Sequence, residues 1–154
     1  VANLNCPGQI VVSGKTSGID QLIAAAPDHG IRIAQKLDVA GAYHSRLMMP
    51  AQVKLADVLT DIELRTPGVP VVCNVEAREV SDPAGIRSTL EAQVSGSVRW
   101  SECVRHFLDR GETQFIELGP GRVLAGFMRR IDRSAKALSF SDVESFEKVL
   151  TELG

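Results

Sequence analysis

The side chains best suited to move a proton or attack a carbonyl carbon are three histidines and three cysteines. His44 stands out by position. It lies in Gly41-Ala42-Tyr43-His44-Ser45-Arg46-Leu47-Met48, between a strand-like and a helix-like segment, where loops commonly carry catalytic groups. A histidine there would serve as a general base. His29, beside Asp28 and just before Gly30, is explained without catalysis as a cation near a helix end. His106, between Arg105 and Phe107 in a helical stretch, reads as an ordinary helix-surface or half-buried residue. Cys6, Cys73 and Cys103 lack metal-ligand spacing, and reduced thiols of a cytosolic protein are the simplest reading. Gly119-Pro120-Gly121 precedes a helix, as a phosphate-binding turn would, but lacks the G-x-G-x-x-G and G-x-x-x-x-G-K-S/T spacings, so a tight structural turn is the better reading. No Gly-x-Ser-x-Gly nucleophile elbow occurs. Residue types alone thus give a candidate base without a nucleophile.

The elements that must position His44 alternate in kind. Ile10–Ser13 reads as a strand after Pro7-Gly8, and Ser17 as the cap of a helix over Ile19–Ala26 that Gly30 ends. Ile31, Ile33, Leu37 and Val39 alternate and predict a strand with one buried face. Leu55, Val58, Leu59 and Ile62 predict a helix over roughly Met48–Leu64. Val69–Val75 reads as a buried strand with a short hairpin partner ending near Val80. Asp82-Pro83 starts a helix that Ser95-Gly96-Ser97 interrupts, and a second helix runs to about Arg110. Phe115–Leu118, a helix with Val123, Leu124, Phe127, Met128 and Ile131, the strand Ala137–Phe140 and a helix from Ser141 or Asp142 complete the chain. Strands interleaved with helices predict α/β or α+β architecture.

Composition narrows the function. The 154 residues carry 17 Lys+Arg against 19 Asp+Glu, a formal net charge of −2, with 44% hydrophobic residues. That apolar content excludes charge-driven disorder, and nothing concentrates positive charge as a nucleic-acid binder would. No run of 18 apolar residues exists, so no transmembrane helix and no membrane partner are expected. No metal-ligand cluster and no cofactor motif is visible, so none is expected.

Taken together, several ordered segments carry a resemblance. Ala2-Asn3-Leu4-Asn5-Cys6-Pro7-Gly8-Gln9-Ile10-Val11-Val12-Ser13-Gly14, Ala42-Tyr43-His44-Ser45-Arg46-Leu47-Met48, Val69-Pro70-Val71-Val72-Cys73-Asn74-Val75, Ser97-Val98-Arg99-Trp100 and Phe115-Ile116-Glu117-Leu118-Gly119-Pro120-Gly121-Arg122-Val123-Leu124 are similar, in order, to motifs of the malonyl-CoA:acyl carrier protein transacylase family of fatty acid and polyketide synthesis. Ser97 departs from the proline common there. The resemblance covers essentially the whole chain but only the C-terminal half of a family enzyme. The family's nucleophilic serine, its malonate-binding arginine and its oxyanion-loop glutamine match no residue here.

The resemblance implies an α/β fold, with residues 1–43 the later part of a ferredoxin-like small subdomain and 44–154 the C-terminal part of an α/β-hydrolase-like large one. It implies malonyl transfer from malonyl-CoA to the phosphopantetheine thiol of an acyl carrier protein through a malonyl-serine, in the cytoplasm, with the serine supplied by an N-terminal portion and the chain inactive without it. His44 takes the catalytic-histidine position. The family's main-chain acceptor for that histidine falls on Gln93, counting back from Trp100. Tyr43 corresponds to a position that favours malonyl over methylmalonyl groups, against the plainer reading that it packs under its loop. Arg32 and Lys36 fall near the family's basic carrier contact, where solvated surface charge is the plain alternative. A non-catalytic carrier-binding or structural fragment is the second function to weigh.

Overall fold

A computed structural model describes residues 1–153. Strands β1 (Asn3–Cys6) and β2 (Gln9–Val11) form an antiparallel hairpin, followed by α1 (Thr16–Ala25) and a 3-10 turn, Ala26–His29. A second 3-10 turn, Arg46–Met48, leads into α2 (Met49–Thr60). A two-residue antiparallel pair, β3 (Val71–Val72) and β4 (Glu79–Val80), precedes α3 (Pro83–Ala92) and α4 (Trp100–Leu108). Then come β5 (Gln114–Leu118), α5 (Val123–Ile131), β6 (Lys136–Phe140) and α6 (Val143–Leu153), with β5 and β6 parallel and joined through α5. The architecture is mixed α/β.

The core forms where α4, α5 and β1 meet. Buried Cys6, Val104, Met128 and Ile131 pack together, flanked by Trp100, Leu108, Phe115 and Phe127. Helix α5 contributes an apolar stripe at helical spacing, Ala125, Met128 and Ile131, and α4 adds Cys103 and Val104. The chain's first strand is thereby fixed to its later half. Leu4 N–H donates to the Val98 carbonyl and Val98 N–H to that of Ala2, each at 2.8 Å. The quoted segment at residues 2–14 is therefore a hairpin turning at Pro7-Gly8 rather than one strand, with Gly8 at φ 73°.

Two other expectations fail for one reason. Residues 31–39 form no strand, and Ile33, Val39, Leu37 and Ile31 are 80%, 59%, 50% and 48% exposed. Only Val71–Val72 of the expected Val69–Val75 strand is formed, with Val69 70% exposed. Alternating apolar residues become a strand only when a neighbour takes their backbone hydrogen bonds and covers one face; among the described residues no strand pairs with 31–39, and β4 pairs only with Val71–Val72. Ser17 does not cap α1, which begins at Thr16 after Lys15 without a side-chain cap. Asp82 does cap α3, accepting from Gly85 N–H at 2.8 Å, with Pro83 in the first turn.

The Glu117-Leu118-Gly119-Pro120-Gly121 segment acquires a structural role. Glu117 leaves β5 and places its carboxylate at the start of α5, accepting from Leu124 N–H at 3.0 Å and Ala125 N–H at 2.9 Å. Ser139 of β6 donates a third hydrogen bond at 3.2 Å. One side chain thus satisfies two of the unpaired N–H groups of α5 and ties both parallel strands to it. Burial opposes its charge, but the N–H groups of Ala125 and Leu124 and the Ser139 hydroxyl outweigh that and hold its carboxyl below the usual value. Gly119 and Gly121 take φ 127° and 94°, so the turn that permits this contact needs glycine at both positions.

Glu117→Ala is expected to lower stability by about 2 kcal/mol at pH 7, the loss typical of an N-terminal capping group. Because the folded pKa lies below the ordinary 4.5, this contribution is full above pH 4.5 and fades as pH falls through the folded value. Hydrogen exchange at the Leu124 and Ala125 amides of both forms across this range should show the gap in protection closing on acidification.

Candidate active site

His44 sits in a turn built by its neighbour. The Ser45 hydroxyl donates to the Ala42 carbonyl at 2.6 Å and accepts from Leu47 N–H at 3.2 Å, capping the Arg46–Met48 turn. Between these contacts His44 takes φ 55°, a left-handed conformation that costs a non-glycine residue roughly 1 kcal/mol. The turn aims the imidazole at the loop after α3. His44 Nδ1 lies 2.9 Å from the Gln93 carbonyl oxygen and 3.1 Å from that of Gly96.

This geometry fixes the chemistry of the ring. Both neighbours of Nδ1 are carbonyl oxygens, which only accept, so Nδ1 must carry the hydrogen. In neutral imidazole the lone pair then belongs to Nε2. Both carbonyls can go on accepting from Nδ1–H after Nε2 takes a proton, so the ring keeps its orientation through the transfer. The half-buried ring is therefore an oriented base in the correct tautomer.

The acceptor loop is held from three sides. Ser95 hydrogen-bonds its hydroxyl to Gln52 of α2. The Gln93 side chain accepts from Asn74 Nδ2 at 3.4 Å, while the Asn74 carbonyl accepts from Arg99 N–H at 2.9 Å. Arg99 in turn grips Glu102 with two nitrogens and donates to the Glu76 carbonyl at 3.1 Å. The hydrogen bond from Arg99 holds the Glu102 carboxyl below its usual range and raises the guanidinium in return. Gly96 is obligatory by space, since a Cβ there would lie 2.6 Å from Val75 Cγ2 and 2.8 Å from the Ala92 carbonyl. The residues 95–97, legible in the sequence only as an interruption between helices, thus supply the second acceptor.

Of the other candidates, Tyr43 adjoins His44, is 49% exposed and lays its ring over Gly41. Arg32 and Lys36 fall in the extended 31–40 segment. Lys36 pairs with Asp20 of α1 at 3.3 Å, Arg32 is exposed, and among the described residues neither is bonded to the His44 frame. His29, exposed, ends the 3-10 turn Ala26–His29. His106 is taken up by Glu79, 3.2 Å from its Nε2, and Glu79 also binds Arg110. The Cys103 thiol is pushed up to about 11 by burial and by nearby Cys73, so it is no nucleophile at neutral pH.

Residues 1–147, which include the carbonyl-oriented His44 and the parallel strand–helix–strand unit, match the acyl transferase domain. The chain belongs to that family. A relative, the malonyl CoA-acyl carrier protein transacylase of Bacillus subtilis strain 168, is 39% identical over 153 residues, 99% of this chain and 48% of the relative. The crystal structure of an acyl-carrier-protein S-malonyltransferase from Burkholderia pseudomallei 1710b superimposes with a TM-score of 0.94 at 39% identity, covering 97% of this chain and 49% of that one. A type II polyketide acyl carrier protein in complex with its malonyl-transacylase gives 0.94 at 36% identity, covering 98% and 49%. The chain spans about half the length of these relatives.

Gly96→Ala is expected to displace the loop and lower stability by about 1–3 kcal/mol, the usual cost of overpacking. Proton NMR of the His44 ring should show the Nδ1–H resonance shifted or broadened in the variant, and an unchanged resonance would mean that the Gly96 carbonyl is not an acceptor.

Proposed function

We propose that this chain is the C-terminal portion of a malonyl-CoA:acyl carrier protein transacylase, with His44 as its general acid–base. The observation that carries the reading is the pair of carbonyl contacts on His44 Nδ1, which leaves Nε2 as the proton acceptor. The printed activities of the relatives supply the reaction.

In this reading His44 Nε2 takes the hydroxyl proton of a serine from the N-terminal portion as its oxygen attacks the malonyl thioester. The imidazolium, held by the Gln93 and Gly96 carbonyls, then protonates the departing CoA sulfur. The malonyl-serine is next attacked by the phosphopantetheine thiol of the carrier protein, with His44 accepting that proton and returning one to the serine. Gln93 acts on the ring through its backbone, and its side chain adds only one of the loop's several anchors, so changes there matter little. Tyr43, bulky and adjacent, would disfavour an α-methyl on the acyl group, a discrimination worth about 1–3 kcal/mol. Arg32 and Lys36 remain candidate carrier contacts in this reading, with Lys36 also pairing with Asp20 at 3.3 Å.

The subdomain division at residue 43 is part of the same proposal. Residues 44–154 belong to the hydrolase-like part and residues 1–43 to the ferredoxin-like one. The first hairpin, packed on α4 and α5, links the two.

In the full-length protein His44→Ala should lower kcat/KM by about 10²–10⁴-fold, while Gln93→Ala should stay near the parent rate. Loss of transfer in a folded Gln93→Ala protein would show that the side chain, not the backbone, is the working acceptor. The chain by itself should take no malonyl label. Among the described residues its parallel strands pair only with each other, and Leu118, Val123 and Ile116 are 71%, 60% and 42% exposed. It should therefore bind a hydrophobic dye and self-associate in light scattering, and a cooperative monomeric unfolding transition would count against this.

A further inference from the structure

We infer that Gln52 is a positioning residue for His44, holding through Ser95 the distance between the imidazole and its carbonyl acceptors. The inference rests on the general acid–base role proposed above. His44 and its acceptors belong to two stiff pieces of backbone. On one side the His44 turn runs into α2 without a joint. Met48 N–H donates to the Ser45 carbonyl at 2.9 Å, and Met49 N–H donates to that of Arg46. Gln52, in the first turn of α2, therefore rides on the same piece as His44. On the other side the acceptor loop continues α3. Gln93 N–H donates to the Thr89 carbonyl at 3.1 Å, Val94 N–H to that of Glu91 at 3.3 Å and Gly96 N–H to that of Ala92 at 2.9 Å. Ser95 lies between the two residues whose carbonyls face Nδ1.

Two kinds of contact bridge these pieces beside the site. One is the pair of hydrogen bonds from His44 Nδ1 to the Gln93 and Gly96 oxygens. The other is the hydrogen bond that the Ser95 hydroxyl donates to Gln52 Oε1. Together they close a loop of contacts that runs from His44 along α2 to Gln52, across to Ser95, and through the Gly96 carbonyl back to Nδ1. In a closed loop of stiff parts, holding one side holds the side opposite. The ring needs such a tie, because His44 sits at φ 55°, and a strained turn relaxes unless its surroundings hold it. Ser95 and Gln52 are both half-buried, so parting them would leave a hydroxyl and an amide poorly solvated.

Placement separates this role from general packing. The far end of α2 has a tie of its own, where Arg87 of α3 donates through Nη2 to the Ile62 carbonyl at 2.9 Å, and α2 buries Leu59 close to that end. The Gln52 hydrogen bond lies at the opposite end of the helix, the end nearest His44. Gln52 acts through Ser95 and the loop, and not on substrate.

The test uses the full-length protein with Gln52→Leu, Ser95→Ala, both together, Ser95→Thr and, at the far tie, Arg87→Gln. Each variant is read by proton NMR of the Nδ1–H resonance, assigned by its loss in His44→Ala, and by the kinetics of transfer to acyl carrier protein. Gln52→Leu and Ser95→Ala should each shift the resonance and lower kcat about tenfold, with KM for malonyl-CoA and for the carrier held. The double variant should be no worse than either single one, because all three lose the same hydrogen bond. Ser95→Thr keeps the hydroxyl and should stay near the parent. Arg87→Gln should lower stability without moving the resonance. An unchanged resonance or an unchanged kcat in Gln52→Leu and Ser95→Ala overturns the inference. So do losses that add in the double variant, a change confined to KM, or an equal shift in Arg87→Gln, which would assign the effect to the docking of α2 as a whole. If Gln52→Leu does not fold, Ser95→Ala, which removes a single oxygen, decides by the same readouts. If the unmutated protein transfers malonyl to no acceptor, the transacylase reading fails. The positioning role is then judged by the resonance alone, where a shift in Ser95→Ala and Gln52→Leu supports it and an unchanged resonance overturns it.

Discussion

Two backbone carbonyls facing one ring nitrogen organise this protein. A neutral imidazole has one N–H and one lone pair, and which nitrogen holds which is decided by the groups around it. Here the Gln93 and Gly96 oxygens leave Nδ1 no choice but to donate. The arrangement needs no carboxylate, so the site carries little stored negative charge, and the base is oriented by backbone alone. The side chains of the acceptor residues take no part in orienting the ring directly, although that of Gln93 ties the loop to Asn74 and space forbids one at Gly96.

Backbone acceptors are only as good as the loop that presents them. Much of the remaining polar structure serves to hold that loop and the turn opposite. Ser45 locks the left-handed turn of His44, Ser95 ties the loop to Gln52 of α2, and Asn74 ties it to the segment after β3. Arg99 then couples Asn74, Glu76 and Glu102 into the start of α4. Glu117 performs the equivalent task for the parallel strands, pinning α5 to β5 and β6. Hydrogen bonds to an ionised group are stronger than neutral ones, which suits two charged residues to these anchoring positions.

How much was legible differed by element. Helices α2, α3, α4 and α5 followed from apolar spacing and from Asp82-Pro83, because a helix satisfies its own backbone and needs only a stripe to bury. The alternating residues at 31–39 misled, because alternation states what a strand would bury and says nothing of whether a partner is there. Among site residues, His44 and Gln93 were found by resemblance and by counting from Trp100. Gly96, Ser45 and Asn74 gave no comparable signal, since their roles rest on a carbonyl, a turn and a contact 19 residues away in sequence.

The amino-acid sequence by itself determined the family, the mixed α/β character, the helix positions and the histidine able to act as a base. Those properties reside in residue identity and local period, which no distant contact is needed to read. Only the tertiary structure decided which nitrogen of His44 is the base, that Gly96 shares in fixing it, that Glu117 is a helix anchor, and that the Arg99 guanidinium is held by Glu102. Each of these depends on the distance between atoms in the folded chain, and the electrostatics of a proton or a guanidinium is set by that distance.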